Sequence, residues 1–194
     1  MLNRFRIFFM IFLVGLMGHV DYVLAEKHAG ESVNVNSVSP LTSMDYSVLI
    51  KGEAFSLGNN WDALKKNKAG EELSENYVGE MEVDGVSYKF FQHDYKGYSI
   101  FSSNIFYNKN GRDIDDYVIS QISLNDTSDI KTYRGVKIGD SLTSVLKKYG
   151  SGKEDNSDGE KWVDYQSGEK ILSFQIEGGK VINIMMAISN GDDK

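Results

Sequence analysis

Few side chains in this sequence are of a type that does chemistry, and their spacing restricts what that chemistry can be. The histidines are His19, His28 and His93, and there is no cysteine. Thiolate metal sites, cysteine nucleophiles, disulfide scaffolds and lipid attachment through a processed N-terminal cysteine are therefore excluded. His19 and His28 fall in segments expected to be removed or flexible, which leaves His93 as the one ordered imidazole. A single imidazole cannot make a two-histidine metal site, and without a positioned serine it makes no triad. Its place in a candidate strand gives it a structural or surface role. The acidic run Glu154-Asp-Asn-Ser-Asp-Gly159 resembles a calcium loop. Counting Glu154 as position one, however, puts Tyr165 where the bidentate glutamate must stand, so the run is read as a solvated hairpin loop. Asp113, Asp115 and Asp116 form a charge run of the kind that solvates a loop end. No phosphate loop, dinucleotide fingerprint or Gly-x-Ser-x-Gly elbow occurs. The expectation is a non-enzyme with no catalytic residues, no metal and no cofactor.

The elements that would position a site are more legible. The chain has 194 residues, 41% hydrophobic and 25% charged, enough to bury a core in one ordinary domain or two very small ones. Its 21 basic and 28 acidic residues give a net charge of -7, which repels a phosphate backbone and argues against nucleic acid as a partner. One proline against 19 glycines, with 11 tyrosines and 10 phenylalanines, predicts strands joined by glycine turns. Arg4 and Arg6 precede the uncharged run Ile7 to Met17, which is shorter than the roughly 20 apolar residues of a membrane span and fits a signal peptide. Val23 and Ala25 stand where a signal peptidase reads, so cleavage is expected before Glu26, with no membrane span in the product. Losing Arg4, Arg6 and Asp21 removes a net +1 and leaves -8. The protein is then exported, periplasmic or secreted, and part of a bacterial envelope or its surroundings.

Residues 1–25 are thus read as a signal peptide and 26–44 as a flexible leader containing Pro40. A first helix-plus-sheet unit is expected over 45–128, a second over 129–190, and a polar tail over 191–194. Leu172, Phe174 and Ile176 alternate with polar residues, and Gly178-Gly179 leads into Ile182, Ile184, Met186 and Ile188, which predicts a hairpin. Trp162 to Tyr165 adds a third strand. Asp84-Gly85 marks another hairpin, and Tyr98 to Tyr107 and Tyr117 to Leu124 a further pair. Leu142, Val145, Leu146 and Tyr149 lie on one helical stripe with Asp140 as cap, and Asn59 to Lys66 has Trp61 and Leu64 at matching spacing.

These two helical segments align. Leu57-Gly58-Asn59-Asn60-Trp61 falls on Ile138-Gly139-Asp140-Ser141-Leu142, with Leu64 on Val145. The glycine is expected because a Cβ would crowd the bend into the helix. The sequence predicts an α+β fold: an antiparallel sheet with two short helices packed on one face, built from two tandem helix-plus-meander units. The block Tyr133-Arg-Gly-Val-Lys-Ile-Gly-Asp-Ser-Leu-Thr-Ser-Val-Leu-Lys-Lys-Tyr-Gly150 resembles the helical block of the β-lactamase-inhibitor-protein-like fold, shared with small outer-membrane assembly lipoproteins. The match is strongest from Thr132 to Ile188 and weak from Ser47 to Leu124. It implies tandem units forming one curved sheet whose open face engages a protein partner. The chain departs from it in lacking the inhibitor's disulfides and the lipoproteins' cysteine.

If Leu172, Phe174 and Ile176 face the helices, strict alternation sends Tyr165, Gln175, Asn183 and Met185 the other way, and exposes Tyr117, Ile119, Gln121 and Ser123 in the first unit. Tyrosine with amides suits a protein interface. Tyr117, Gln121, Tyr165 and Gln175 are therefore the expected partner-binding residues, and another exported or envelope protein the expected partner, inhibited or assembled through that face. The alternative is a cell-wall or carbohydrate binder that stacks exposed tyrosines on sugar rings.

Overall fold

A computed structural model describes residues 38–126, 129–157 and 159–189. The expected signal peptide, most of the leader and the tail from residue 190 lie outside the described residues. Within them, the chain runs through a 3-10 turn (Ser43–Tyr46), strands β1 (Ser47–Ile50) and β2 (Glu53–Ser56), helix α1 (Ala63–Ala69) and strands β3 (Ser74–Val83), β4 (Val86–Tyr95), β5 (Tyr98–Ser103) and β6 (Val118–Leu124). Helix α2 (Leu142–Tyr149) and strands β7 (Lys153–Asp155), β8 (Lys161–Ser167), β9 (Lys170–Glu177) and β10 (Lys180–Ile188) follow. Eight strands form one antiparallel sheet in the order β3-β4-β5-β6-β10-β9-β8-β7, and β1-β2 is a separate hairpin.

Turn chemistry explains the hairpins. Lys51-Gly52, Asp84-Gly85 and Gly178-Gly179 all place both central residues at positive φ, the type I′ geometry that matches strand twist. Two of these turns were expected from sequence. The Lys51-Gly52 hairpin was not, because lysine is a poor signal for the left-handed region.

The expected α+β architecture, with two helices layered on one face of the sheet, is corrected. Of the described residues, 48% are strand and 13% helix, and the eight-stranded sheet dominates. Helix α1 starts at Ala63, four residues after the expected start, behind Asp62 as its N-cap, and Ala69 is its one buried residue. Its sequence, Ala-Leu-Lys-Lys-Asn-Lys-Ala, holds one large apolar side chain, Leu64, and that is 66% exposed. Without an apolar stripe a seven-residue helix cannot build a layer. Hairpin and junction residues fill that role: Tyr46, Val48, Ile50, Phe55, Leu57 and Trp61 join Ile100, Ile122, Leu124, Leu172, Phe174, Ile184 and Met186 in one core. Helix α2 adds Val145 and Tyr149, with the Tyr149 ring 5.4 Å from Phe174 and 5.3 Å from Tyr165. Ser141, not Asp140, caps it by accepting from the Ser144 amide.

The second segment of the expected leader is fastened. Arg134 donates all five of its N–H groups: to Asp45 Oδ1 at 2.6 Å and Oδ2 at 2.9 Å, and to the carbonyls of Ser39, Pro40 and Lys148 at 3.0 Å each. Its guanidinium also lies 5.0 Å over the Tyr149 ring. Burial alone would raise the Asp45 carboxyl, but the Arg134 hydrogen bonds and charge outweigh it and hold the group below its ordinary range.

Candidate functional site

The glycine junctions come first, because they set the side chains beyond them. At the first, the Gly58 amide donates to the Ile119 carbonyl at 2.8 Å, the Ile119 amide to the Asn59 carbonyl at 2.9 Å, and the Trp61 amide to the Tyr117 carbonyl at 2.8 Å. At the second, Gly139 donates to Val181 at 2.8 Å, Val181 to Asp140 at 2.8 Å, and Leu142 to Gly179 at 2.9 Å. The hydrogen-bond pattern is the same, position for position. The glycines are needed for backbone angle: φ is 86° at Gly58 and 89° at Gly139, and nothing lies within 4 Å of where a Cβ would stand at either. The expected crowding is therefore replaced by left-handed backbone.

The junctions differ in what they deliver to the core. The second delivers Leu142, an apolar side chain. The first delivers Trp61, whose indole Nε1–H donates to His93 Nε2 at 2.9 Å. His93 sits on β4 opposite Ile100, on the covered face, and is 1% exposed. Its Nδ1 lies 2.7 Å from Glu72 Oε1 and 3.2 Å from Glu75 Oε2, and Ser102 Oγ is 2.9 Å from Nε2. Glu75 is also paired with Lys66 of α1 at 2.7 Å. An indole N–H can only donate, so Nε2 must accept, and a neutral His93 then carries its proton on Nδ1, directed at Glu72.

That assignment decides what the cluster can do. Glu72, Glu75 and His93 bring three potential ligand atoms within 4.8 Å of one another. A cation there would need the Nδ1 lone pair, which the bond from Trp61 reserves for a proton, so the cluster is set as a hydrogen-bonded network. Ser102, His93 and Glu72 also have the connectivity of a nucleophile, base and orienting acid. Sequence reading missed that serine, since nine residues and a strand reversal separate it from His93. Both Ser102 and His93 are buried, however, and Trp61 competes with Ser102 for the one lone pair of Nε2. Burial is the largest influence on His93 and lowers its pKa, against the opposing hydrogen bond that Nδ1–H donates to Glu72.

The four residues expected on the open face divide in pairs. Tyr165 is corrected: it lies opposite Leu172 on the covered face, 5% exposed, its hydroxyl donating to the Gly150 carbonyl at 2.8 Å. A two-residue turn pairs odd-numbered with even-numbered positions, so Tyr165 must share a face with Leu172. Burial pushes its phenol up to about 12. Tyr117 is also corrected. It packs against the core, with its ring 5.5 Å from Phe91, and Phe91 shares the His93 face. The reason is a bulge: Gln121 pairs with Phe101 but Ile119 pairs with Ser102, so Ser120 is an extra residue and the alternation inverts. Ile119 is accordingly buried in the core. A second bulge, between Val181 and Asn183, leaves Ile182 partly exposed, off the expected stripe.

Gln121 and Gln175 do lie on the second face. Cross-strand partners place with them Gln92 and Phe101, Ser123 and Met185, Ser173, and Trp162 opposite Gln175. Phe101 and Trp162 are large and mostly buried, yet neither belongs to the core cluster. Asp94 is on this face too, accepting from Ser74, Gln92 and Ser99; these bonds override burial and hold it below its ordinary range. Burial raises Asp164. Comparison with family models, curated proteins and solved structures gives no match to this chain.

Proposed function

We propose that the protein is an exported, non-enzymatic protein-binding module that engages another envelope or secreted protein through the second face of its sheet. The observation that carries this reading is the content of that face. Across six adjacent strands it carries the half-buried Gln92, Gln121, Met185 and Gln175, flanked by the mostly buried rings of Phe101 and Trp162, all outside the core cluster. Met185 offers apolar contact and the amides set register over a floor of buried aromatic rings, a composition that suits a protein interface. Gln121 and Gln175 stay in the site; Tyr117 and Tyr165 leave it.

Further observations support the rest. Ser102 and His93 are buried below the exposed Glu72, and the Nε2 lone pair of His93 is shared with Trp61, which favours a structural network over catalysis. The positive residues Arg4 and Arg6 before an uncharged run favour export, and no helix among the described residues is long and apolar enough to cross a membrane. The resemblance of the Tyr133–Gly150 block favours inhibition or assembly as the kind of binding.

A photo-crosslinking amino acid placed at Gln121 or Gln175 in the producing cell tests the reading. One discrete protein adduct from each, absent when the group is placed at Leu64 on α1, is the expected result. Adducts from Leu64 with none from the two glutamine positions would overturn it.

A further inference from the structure

A side-chain hydrogen bond beside the first junction depends on an imidazole that can gain a proton. Trp61 Nε1–H has no second role open to it: it donates, and its acceptor is the lone pair of His93 Nε2. In an imidazolium that lone pair is gone and Nε2 becomes a donor facing a donor. Ser102 tolerates the change, because its hydroxyl can turn from donating to accepting at the same 2.9 Å. Trp61 cannot. We propose that the Trp61-His93 bond is a proton-operated latch, in which protonation of Nε2 expels the indole and loosens the Gly58 junction and the start of α1 while the Gly139 junction stays closed.

The groups around His93 come from every element packed on it. Glu72, in the segment between α1 and β3, and Glu75, on β3, face Nδ1 and favour the charged form. Asp94, beside it on β4, interacts with it favourably as well. Lys66 of α1, bound to Glu75, opposes the charge, and Ser102 of β5 is neutral. Burial opposes the charge most strongly, so the latch opens below the ordinary histidine value of 6.5. Once it opens, Glu72 and Glu75 stabilise the imidazolium where it stands. The charged state therefore keeps partners in the folded protein, which distinguishes a local switch from general acid unfolding. The second junction, with Leu142 in place of Trp61, has no proton to exchange.

The chain has two tryptophans, Trp61 and Trp162, so its two indole N–H resonances report the latch and a control on β8 in one spectrum. Between about pH 8 and pH 5 the Trp61 resonance should shift with a midpoint below the ordinary histidine value, and its exchange protection should fall about tenfold or more, while Trp162 keeps its position. His93→Gln, whose amide oxygen can still accept from the indole, should abolish the transition. Glu72→Gln, which removes a carboxylate facing Nδ1, should move the midpoint down by about one unit. A Trp61 resonance constant over that range, a transition shared with Trp162, or one that persists in His93→Gln would overturn the proposal. If His93→Gln does not fold, an unmoved midpoint in Glu72→Gln overturns it instead.

Discussion

The Gly58 and Gly139 junctions have one backbone and two interiors. Each sends a glycine amide to a central strand, takes one amide back, and closes with a third hydrogen bond two residues on. Past that point one inserts Trp61 into a polar network ending at Glu72, and the other inserts Leu142 beside Val145 and Tyr149. The backbone pattern needs only a residue free to take positive φ, which glycine supplies in both places. Side-chain chemistry is then free to diverge. The apolar junction is indifferent to pH, whereas the polar one ties its integrity to the neutral form of His93.

Breaking the clamp behind the second junction should have the largest effect. Removing one partner of an ion pair leaves the other uncompensated, and Arg134→Ala strands Asp45, which is 0% exposed, and removes the donors that tie down the carbonyls of Ser39, Pro40 and Lys148. A loss of about 3 to 5 kcal/mol in urea unfolding is expected. A loss under about 1 kcal/mol would mean that the segment from Ser39 to Asp45 contributes little to the fold.

The next effect separates neighbours on α2. Val145 is fully buried and Leu146 is 37% exposed, so Val145→Ala should destabilise the domain by about 2 kcal/mol and Leu146→Ala by less than half of that. The reverse order would put the helix on its other face. A smaller and deliberately equal pair follows: Gly58→Ala and Gly139→Ala should each destabilise by about 1 to 2 kcal/mol, because the strain is in φ and open space surrounds both sites. Unequal values would end the claim that the junctions share one backbone.

Residue patterns showed the alignment of Gly58 with Gly139, the Asp84-Gly85 and Gly178-Gly179 turns and the place of Val145 and Tyr149 on the inner side of α2, though not the exposure of Leu146, because local rules govern each of the first three. Other features depended on information that is not local. The bulge at Ser120 inverts the face of Tyr117, and no residue type in Ile119-Ser120-Gln121 announces it. The weak helix α1 and the Lys51-Gly52 hairpin exchange roles in covering the sheet, a matter of which apolar surface wins the site. The contact between His93 and Ser102 joins neighbouring strands, and the one from Trp61 spans 32 residues of sequence, so spacing carried no trace of either. Tyr165 is different: the parity of a two-residue turn already placed it inside.

The smallest expected effect is in the pH dependence of stability. The folded His93 binds its proton less readily than the unfolded chain, so the unfolded state holds more protons as pH falls below 6.5 and the stability His93 contributes is lost through that window. Asp45 is likewise held low, but from an ordinary value of 3.8, so its contribution persists until far more acid conditions. Unfolding by urea at about pH 7.5 and about pH 5.5 should therefore show a loss of stability at the lower value that His93→Gln removes and Leu142→Ala does not.

Backbone hydrogen exchange at both junctions tests the central claim most directly. Protection of the Gly58, Trp61 and Ile119 amides should match that of Gly139, Leu142 and Val181 at about pH 7.5, and at about pH 5.5 the first set alone should lose about tenfold or more. Equal protection of the two sets at both values, or loss at the Gly139 junction first, would contradict the account.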